Sequence, residues 1–248
     1  MKKNILFLSL LIALLISNKF FGQNTNKDNN YTFKRGDYNG IGKWYMGREI
    51  AYVMGFEGIG WLERSEREEE EGVSKLIKNM RIKPNDIVAD IGAGSGYHTF
   101  KIAALTKNGF VYAVDIQPEM LMVIEETKES RKIKNIETIL GTEKSILLPS
   151  NSVDKILMVD VYHEFNFPAE IIISIKKALK PNGELFLIEY RSEDSSVPIK
   201  KIHKMSEKQA VKEMEAAGFK LKKNISNLPW QHCMVFVKKI KNAESIKY

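Results

Sequence analysis

The sequence predicts an α/β protein with a mostly parallel sheet, helices on both sheet faces and an antiparallel last pair of strands. Short apolar runs alternate with helical patterns along most of the chain, as in parallel sheets whose crossovers are helices. Near the end, only residues 227–232 separate two strand-like runs. Because so short a link has no room for a crossover helix, the last pair has to be antiparallel.

Each strand is predicted from a short apolar run. The predicted strands are residues 86–91, 110–115, 136–140, 155–160, 184–190, 219–226 and 233–239. Pro118 suits the first turn of one helix, and Ser206 with Gln209 three residues later resembles a capping box. Gly218 is placed to end that last helix, and residues 180–183 have the composition of a turn.

The first residues have the pattern of an export signal. Lys2 and Lys3 precede an apolar run over residues 5–16, which is too short to span a bilayer comfortably. We expect residues 1–22 to be a signal peptide and the Asn-rich residues 23–30 to be a flexible tether. The protein is then exported, periplasmic or extracellular, and is anchored to a membrane only if the signal stays uncleaved.

Composition narrows the class of protein. With 248 residues, 44% of them hydrophobic and 28% charged, the chain has the balance of one folded domain with an appendage. The single cysteine, Cys233, excludes an internal disulfide and a cysteine-rich zinc site, and it is expected to be a small core residue. Loss of the signal removes three lysines and no acid, lowering the formal charge from +7 to +4. So small an excess gives no case for a nucleic-acid partner.

The most specific motif is a strand that runs directly into a glycine-rich turn and then a helix, over residues 88–97. Glycines let the backbone approach a ligand closely, and the helix start offers free N–H groups. Asp115 follows Gly92 by 23 residues, at a strand end where a carboxylate can bind both hydroxyls of a ribose. The Gly-x-Gly-x-Gly spacing is not that of a dinucleotide site, and Asp90 would repel a diphosphate but suits a cationic amino acid. The motif predicts a nucleoside site.

Four segments resemble successive motifs of class I S-adenosylmethionine-dependent methyltransferases of the small-molecule type: VADIGAGSGY, VYAVDIQPEM, LPSNSVDKILMVDVYHEF and ALKPNGELFLIEY. The resemblance covers residues 80–237. It implies a Rossmann-like, doubly wound sheet of seven strands with an antiparallel last strand, and residues 81–240 as the cofactor-binding domain. It also implies a methyl-transferring enzyme of the EC 2.1.1 type.

The resemblance further implies S-adenosyl-L-methionine as cofactor. The glycine loop would hold its methionine end, Asp115 the ribose, Ile116 one face of the adenine, and Thr142 with Glu143 the adenine edge. The family commonly has Gly-Asp where this chain has Gly141-Thr142, with Glu143 as a substitute acid. The predicted cofactor-binding residues are Asp90, Ile91, Gly92, Ala93, Gly94, Gly96, Asp115, Ile116, Thr142, Glu143 and Asp160.

The acceptor pocket of this architecture lies beyond the carboxyl ends of the strands. The residues after the fourth predicted strand include His163, which titrates near neutrality, and Glu164, which becomes a better base when buried. These two are the predicted catalytic residues, although His163 also fits a structural role in anchoring a loop. Tyr190 and His203 are predicted to contact substrate, with a solvated position as the alternative for His203. No metal site is predicted, since acids at strand ends are common.

Residues 31–80 are predicted to be a helical lid, because such a segment folds over the cofactor in similar enzymes and expels water. Tyr45 and Trp61 would present their rings to the sulfonium, and Arg48 would pair with a carboxylate of the cofactor or with an anionic acceptor. Alternatively, the aromatic residues cover the sheet edge and Arg48 makes a surface ion pair. Six acids among residues 63–71 are expected on a solvated helix face, with a ligand patch as the other interpretation.

Together these features predict an exported methyltransferase with a small-molecule or lipid-like acceptor, in which His163 or Glu164 assists proton removal. Two other classes stay open. One is a non-catalytic protein that binds a nucleoside and uses its N-terminal segment for a partner; the other is a nicotinamide-dependent oxidoreductase. The intact glycines and Asp115 argue against a decayed pocket, and the glycine spacing argues against a dinucleotide.

Overall fold

The computed structural model describes residues 30–239 of the chain. The predicted signal peptide and all of the predicted tether except Asn30 lie outside the described residues. Within residues 30–239, no helix combines the length and the apolar character needed to cross a membrane.

The sequence predicts a helical lid before the domain, but the first part of this segment is not helical. It begins with a small antiparallel sheet of three strands: β1 (Tyr31–Phe33), β2 (Gly40–Tyr45) and β3 (Arg48–Ala51). Helices follow only after this sheet: α1 (Ile59–Leu62), α2 (Arg67–Glu71) and α3 (Val73–Met80).

Local chemistry explains the small sheet. Met46 and Gly47 have φ of 50° and 99°, and two successive residues with positive φ make the tight loop of a two-residue hairpin. Aromatic and β-branched residues favour strands, and Tyr31, Tyr45 and Ile50 form a core of their own. The aromatic density of this segment therefore serves strand packing.

Seven strands form the main sheet. They are β4 (Ile87–Ile91), β5 (Phe110–Asp115), β6 (Ile136–Leu140), β7 (Val153–Val159), β8 (Leu179–Tyr190), β9 (Phe219–Asn224) and β10 (Gln231–Lys238). Their order is β6-β5-β4-β7-β8-β10-β9. Pairs from β6 to β8 are parallel, whereas β10 is antiparallel to both β8 and β9. The predicted Rossmann-like sheet with an antiparallel last strand is confirmed.

The strand boundary that differs most from the prediction is the start of β8. Strand β8 starts at Leu179, before the predicted turn at residues 180–183. Its register against β7 moves from Val153–Leu179 to Lys155–Glu184, so the extra residues form a bulge within the strand.

Helices cover both faces of the main sheet. The remaining ones are α4 (Tyr97–Ala103), α5 (Pro118–Arg131), α6 (Pro168–Ala178) and α7 (Glu207–Ala216). Residues of α3, α4 and α5 pack on one face and residues of α6 and α7 on the other. Helix α7 begins at the predicted cap, where the Ser206 side chain accepts a hydrogen bond from Gln209 N at 3.1 Å. Cys233 is a buried core residue, as expected.

The strand order fixes where a ligand binds. The chain winds outward from β4 through β5 to β6, and then returns to the other side of β4 with β7. Ligands in such sheets bind beyond the carboxyl ends of the strands, at the point where the order reverses. The loops that begin at Gly92 and Asp160 flank this point.

Candidate active site

A cavity of about 570 Å³ lies at the carboxyl ends of the parallel strands. Loops after β4, β5, β6, β7 and β8 wall it, together with residues between β3 and α3. The predicted site residues that line it are Trp61, Ile91, Gly92, Gly94, Asp115, Ile116, Thr142, Glu143, Asp160, His163, Glu164, Tyr190 and His203.

The glycine loop has a backbone shape that favours glycine. Gly92, Gly94 and Gly96 have φ of 71°, 54° and 83°, in the left-handed region that other residues adopt at a cost. A Cβ on Gly94 would lie 2.6 Å from Leu62 Cδ1. Leu62 therefore packs directly against the loop at Gly94, and a side chain at that position would have no room.

Three of the predicted cofactor residues support the loop and do not line the cavity. Asp90 Oδ2 accepts a hydrogen bond from Thr99 Oγ1 at 2.7 Å, which ties the end of β4 to α4. Burial raises the pKa of Asp90 to about 6. Ala93 N donates to Val114 O at 3.1 Å, and Gly96 directly precedes α4. The structure thus gives Asp90 a supporting position rather than the predicted direct contact with a cationic ligand.

Asp115 lies at the end of β5 with its carboxylate in the cavity wall. Its Oδ2 accepts a hydrogen bond from Gly94 N at 2.9 Å, and its Oδ1 accepts one from Gln117 N at 2.9 Å. Each carboxylate oxygen has a further lone pair for a ligand. Burial raises the pKa of Asp115, against the opposing effect of the backbone amides of Gln117, Gly94 and Ile116. Ile116 follows in the wall and is 44% exposed.

Asp160 follows β7 and Tyr190 ends β8, so both lie on the other side of the glycine loop from Asp115. Gln231 Nε2 donates to Asp160 Oδ2 at 2.5 Å. Among the described residues, Asp160 Oδ1 is buried and has no hydrogen-bond partner. Burial and the nearby carboxylates of Glu71 and Glu189 raise the pKa of Asp160 well above its ordinary value.

The charged run is only partly on a solvated face, contrary to the expectation. Arg67 and Glu71 are buried, line the cavity and form an ion pair at 2.6 Å. The Tyr190 hydroxyl donates to Glu71 Oε1 at 2.9 Å. Sequence reasoning missed these two residues, since their i, i+4 spacing also suits an exposed helix pair.

A histidine–carboxylate cluster lies in the wall formed by the loop after β7. His163 Nδ1 is 2.7 Å from Glu189 Oε2, and His163 Nε2 is 3.1 Å from His203 Nδ1. Glu164 Oε1 lies 3.7 Å from His163 Nε2 and 3.6 Å from His203 Nδ1. The two predicted catalytic residues and His203 are therefore brought together, and the buried Glu189 backs them.

The pKa values of the cluster follow from burial and from the neighbouring charges. Burial opposes the charged form of His163, but the Glu189 carboxylate outweighs it and raises the pKa of that imidazole. Burial and the neighbouring His163 lower the pKa of His203 to about 4. Burial also raises the pKa of Glu164.

Tyr45 and Arg48 do not line the cavity. Tyr45 is buried in the core of the small sheet, with its ring 5.5 Å from that of Tyr31. Arg48 lies behind the cavity, where it pairs with the fully buried Glu213. The expectation that these two side chains face a ligand is therefore wrong, and the ion pair of Arg48 is buried rather than at the surface.

Comparison with known proteins agrees with this architecture. Residues 82–238 match the model of a methyltransferase domain family. A SAM dependent methyltransferase from Aquifex aeolicus is similar in structure, with a TM-score of 0.70 and 25% identity, over 74% of this chain and 98% of that one.

Two relatives are similar in sequence. An uncharacterised methyltransferase-like protein of Schizosaccharomyces pombe is 34% identical over 131 residues, which are 52% of this chain and 48% of that protein. The uncharacterised methyltransferase YdaC of Bacillus subtilis is 27% identical over 143 residues, which are 58% of this chain and 76% of that protein. The alignment thus spans about half the length of the fission-yeast relative. Because the family model runs from just before β4 to the end of β10, the chain belongs to the methyltransferase domain family.

Proposed function

We propose that the protein is an S-adenosylmethionine-dependent methyltransferase with a small-molecule or lipid-like acceptor. One observation carries the proposal: a single cavity joins the glycine loop and Asp115 to the cluster around His163. The first part fits a nucleoside cofactor, and the second fits an acceptor that has a proton to lose.

The residues on the cofactor side fit S-adenosylmethionine in shape and charge. Asp115 offers carboxylate oxygens to ribose hydroxyls, and the exposed part of Ile116 offers an apolar surface to an adenine. The buried Asp160 Oδ1, which has no hydrogen-bond partner within residues 30–239, fits a cationic ammonium group. A wall that includes these carboxylates suits a cationic ligand better than a diphosphate.

When bound, S-adenosylmethionine supplies a methyl group that its sulfonium already activates. The main task of the chain is then alignment, which in a closed site contributes about 7–11 kcal/mol. Gln117 Nε2 donates to Met54 O at 3.0 Å and fastens the segment after β3 to the loop after β5. Met54 and Trp61 in this segment wall the cavity and help to exclude water.

The acceptor side combines the polar cluster with apolar wall residues. His163 and Glu164 are placed to hold the nucleophilic atom of the acceptor and to take its proton. Phe165, Pro198 and Ile199 line the same region, which suits a small or lipid-like acceptor with a largely apolar body.

Calorimetry with S-adenosylhomocysteine tests the cofactor site. We expect the full chain to bind S-adenosylhomocysteine saturably. Asp115→Asn should lower the affinity by about ten- to a hundredfold, because one oxygen that accepts a hydrogen bond from a backbone amide becomes an NH₂ group. Asp37→Asn, at an exposed position, is the matched control and should bind normally. No binding of S-adenosylmethionine or S-adenosylhomocysteine at millimolar concentration would contradict the proposal.

A labelled methyl donor with a small-molecule and lipid extract tests the transfer. We expect a labelled product that depends on the protein. Cofactor binding without a labelled product across many acceptors would instead favour the non-catalytic binding protein.

We also propose that the protein is exported, on the basis of Lys2, Lys3 and the apolar residues 5–16. A full-length fusion with a reporter that is active only outside the cytoplasm should be active in a bacterial host. Leu11→Arg should abolish reporter activity by interrupting the apolar run, whereas Thr25→Arg should not. An inactive wild-type fusion would count against export and would leave the enzymatic proposal intact.

A further inference from the structure

We propose that His163, Glu164 and His203 bind one divalent transition-metal ion in the acceptor half of the cavity. The proposal deepens the proposed function, on which it rests for the role of the ion: to hold an oxygen acceptor, a hydroxyl or an enol, for methylation. Metal binding itself needs only the three side chains, so the two proposals can fail separately.

The three ligand atoms have the spacing of a coordination site. His163 Nε2, Glu164 Oε1 and His203 Nδ1 form a triangle with sides of 3.1, 3.7 and 3.6 Å. The point equidistant from the three atoms lies about 2.0 Å from each, which is close to the zinc–nitrogen and zinc–oxygen bond lengths of about 2.0–2.2 Å. An ion at that point would be at bonding distance from all three atoms.

The surroundings of His163 are those of a metal-binding imidazole. Its Nδ1 is 2.7 Å from Oε2 of Glu189, whose side chain is fully buried. Such a carboxylate keeps the proton on Nδ1, so the lone pair of Nε2, which faces His203 Nδ1 in this structure, would be available to an ion that takes the place of that hydrogen bond. The contact between His163 and Glu189 and the spacing of the three ligand atoms are independent observations that indicate the same site.

The ligands are also held in place by backbone contacts. Met54 N donates to Glu164 Oε2 at 3.2 Å, which leaves Oε1 on the cluster side. Arg48 Nη1 donates to the His163 carbonyl at 3.0 Å. The carboxyl groups of Glu164 and Glu189 are nearly and fully buried, and a divalent ion beside them would stabilise their ionised forms.

The donor set indicates the class of ion and its use. Two imidazoles and one carboxylate suit Zn²⁺, Fe²⁺ or Co²⁺, whereas Mg²⁺ prefers oxygen ligands alone. Three protein ligands leave positions open for an acceptor oxygen, whose proton is lost more easily beside a Lewis acid. With the ion bound, His163 and Glu164 would act as its ligands and no longer as bases, so the O–H proton would go to solvent. The oxygen pair would form the new bond to the methyl carbon, and the carbon–sulfur pair would stay with sulfur.

The test uses the full chain without a histidine tag, after treatment with a chelator. Titration with Co²⁺ should give a visible absorption band that saturates at one ion per chain, and Zn²⁺ should displace it. Mg²⁺ should bind at least about a hundredfold more weakly than Zn²⁺.

Matched variants locate the ion. His203→Ala and Glu164→Gln should each weaken Zn²⁺ binding at least about tenfold, and Glu189→Gln by about 10- to 100-fold through the orientation of His163. His232→Ala and Glu57→Gln change the same residue types outside the cluster and should bind Zn²⁺ normally. Thermal melts check that each variant is folded.

The outcomes separate the two proposals. A chain that binds S-adenosylhomocysteine but shows no saturable Co²⁺ or Zn²⁺ binding would overturn the metal site and leave the proposed function standing. Undiminished Zn²⁺ binding in folded His203→Ala and Glu164→Gln would also overturn the metal site. Binding of one metal ion per chain without any cofactor binding would support the metal site and contradict the proposed methyltransferase function.

Discussion

The guanidinium of Arg48 makes two hydrogen bonds to the carboxylate of Glu213, at 2.9 and 3.0 Å. The pair joins strand β3 of the small sheet to helix α7, and both side chains are nearly or fully buried. The same guanidinium donates a hydrogen bond to the carbonyl of His163. The small sheet, α7 and the loop after β7 therefore all contact the Arg48 side chain.

Arg48→Met should destabilise the protein by about 3–5 kcal/mol, because it leaves the buried Glu213 carboxylate uncompensated. The double variant Arg48→Met with Glu213→Gln should lose less than the sum of the two single variants, since neither charge then remains unpaired. Urea unfolding of the four proteins measures the coupling. Additive losses would show that the two side chains do not stabilise each other.

Gly94→Ala should weaken S-adenosylhomocysteine binding at least about tenfold, since it combines a positive φ with a Cβ placed against Leu62. Gly47→Ala is the matched control: its φ is 99°, and no atom of the described residues lies within 4 Å of its Cβ. Calorimetry should show normal affinity for Gly47→Ala. Equal losses in the two variants would mean that general backbone strain, and not crowding at the cavity, limits binding.

Trp61→Ala should weaken S-adenosylmethionine binding more than S-adenosylhomocysteine binding. An aromatic ring near a sulfonium contributes about 0.5–2 kcal/mol, and S-adenosylhomocysteine lacks the positive charge. Phe33→Ala removes another exposed aromatic side chain, one that does not line the cavity, and should change neither affinity. If Trp61→Ala weakens both compounds equally, the ring acts only as an apolar wall.

Asp90→Asn should stabilise the protein at neutral pH. Burial raises the pKa of Asp90 from 3.8 to about 6, so the folded state binds more protons than the unfolded state between these values. Stability is therefore lost as the pH rises from about 4 to about 6, by up to about 3 kcal/mol, and the neutral amide avoids this loss. Urea unfolding at pH 4, 5, 6 and 7 should show wild type falling relative to the variant. A constant difference would contradict a titrating Asp90.

The sheet and the cofactor half of the cavity could be predicted because their signals are local. Gly92, Gly94 and Asp115 belong to one strand–turn–helix unit and the strand after it, and their spacing alone places them at one sheet edge. The arrangement of the histidine cluster could not be predicted from local signals alone. Its members come from the loop after β7, from β8 and from the segment after β8, and Glu189 pairs with His163 only because β7 and β8 are neighbours.

The predicted surroundings of the charged run and of the aromatic run were wrong for the same reason. The charged run around Arg67 has the composition of a solvated helix, and the aromatic run around Tyr45 has that of a ligand cage. Whether such side chains meet solvent, core or cavity depends on which elements pack over them, and local sequence carries little of that information. Gly47 at the hairpin turn is a weak local signal for strands, and the prediction of a helical segment did not use it.

The reversed direction of β10 decides which of its ends reaches the cavity edge. Because β10 runs against its neighbour β8, its first residue, Gln231, lies opposite Tyr190 and donates to Asp160. Its last residue, Lys238, lies at the far edge and donates to the Leu179 carbonyl. In a parallel orientation the end of β10 that carries Lys238 would lie at the cavity edge near Asp160, where its ammonium group would compete with the cationic ligand proposed for that carboxylate.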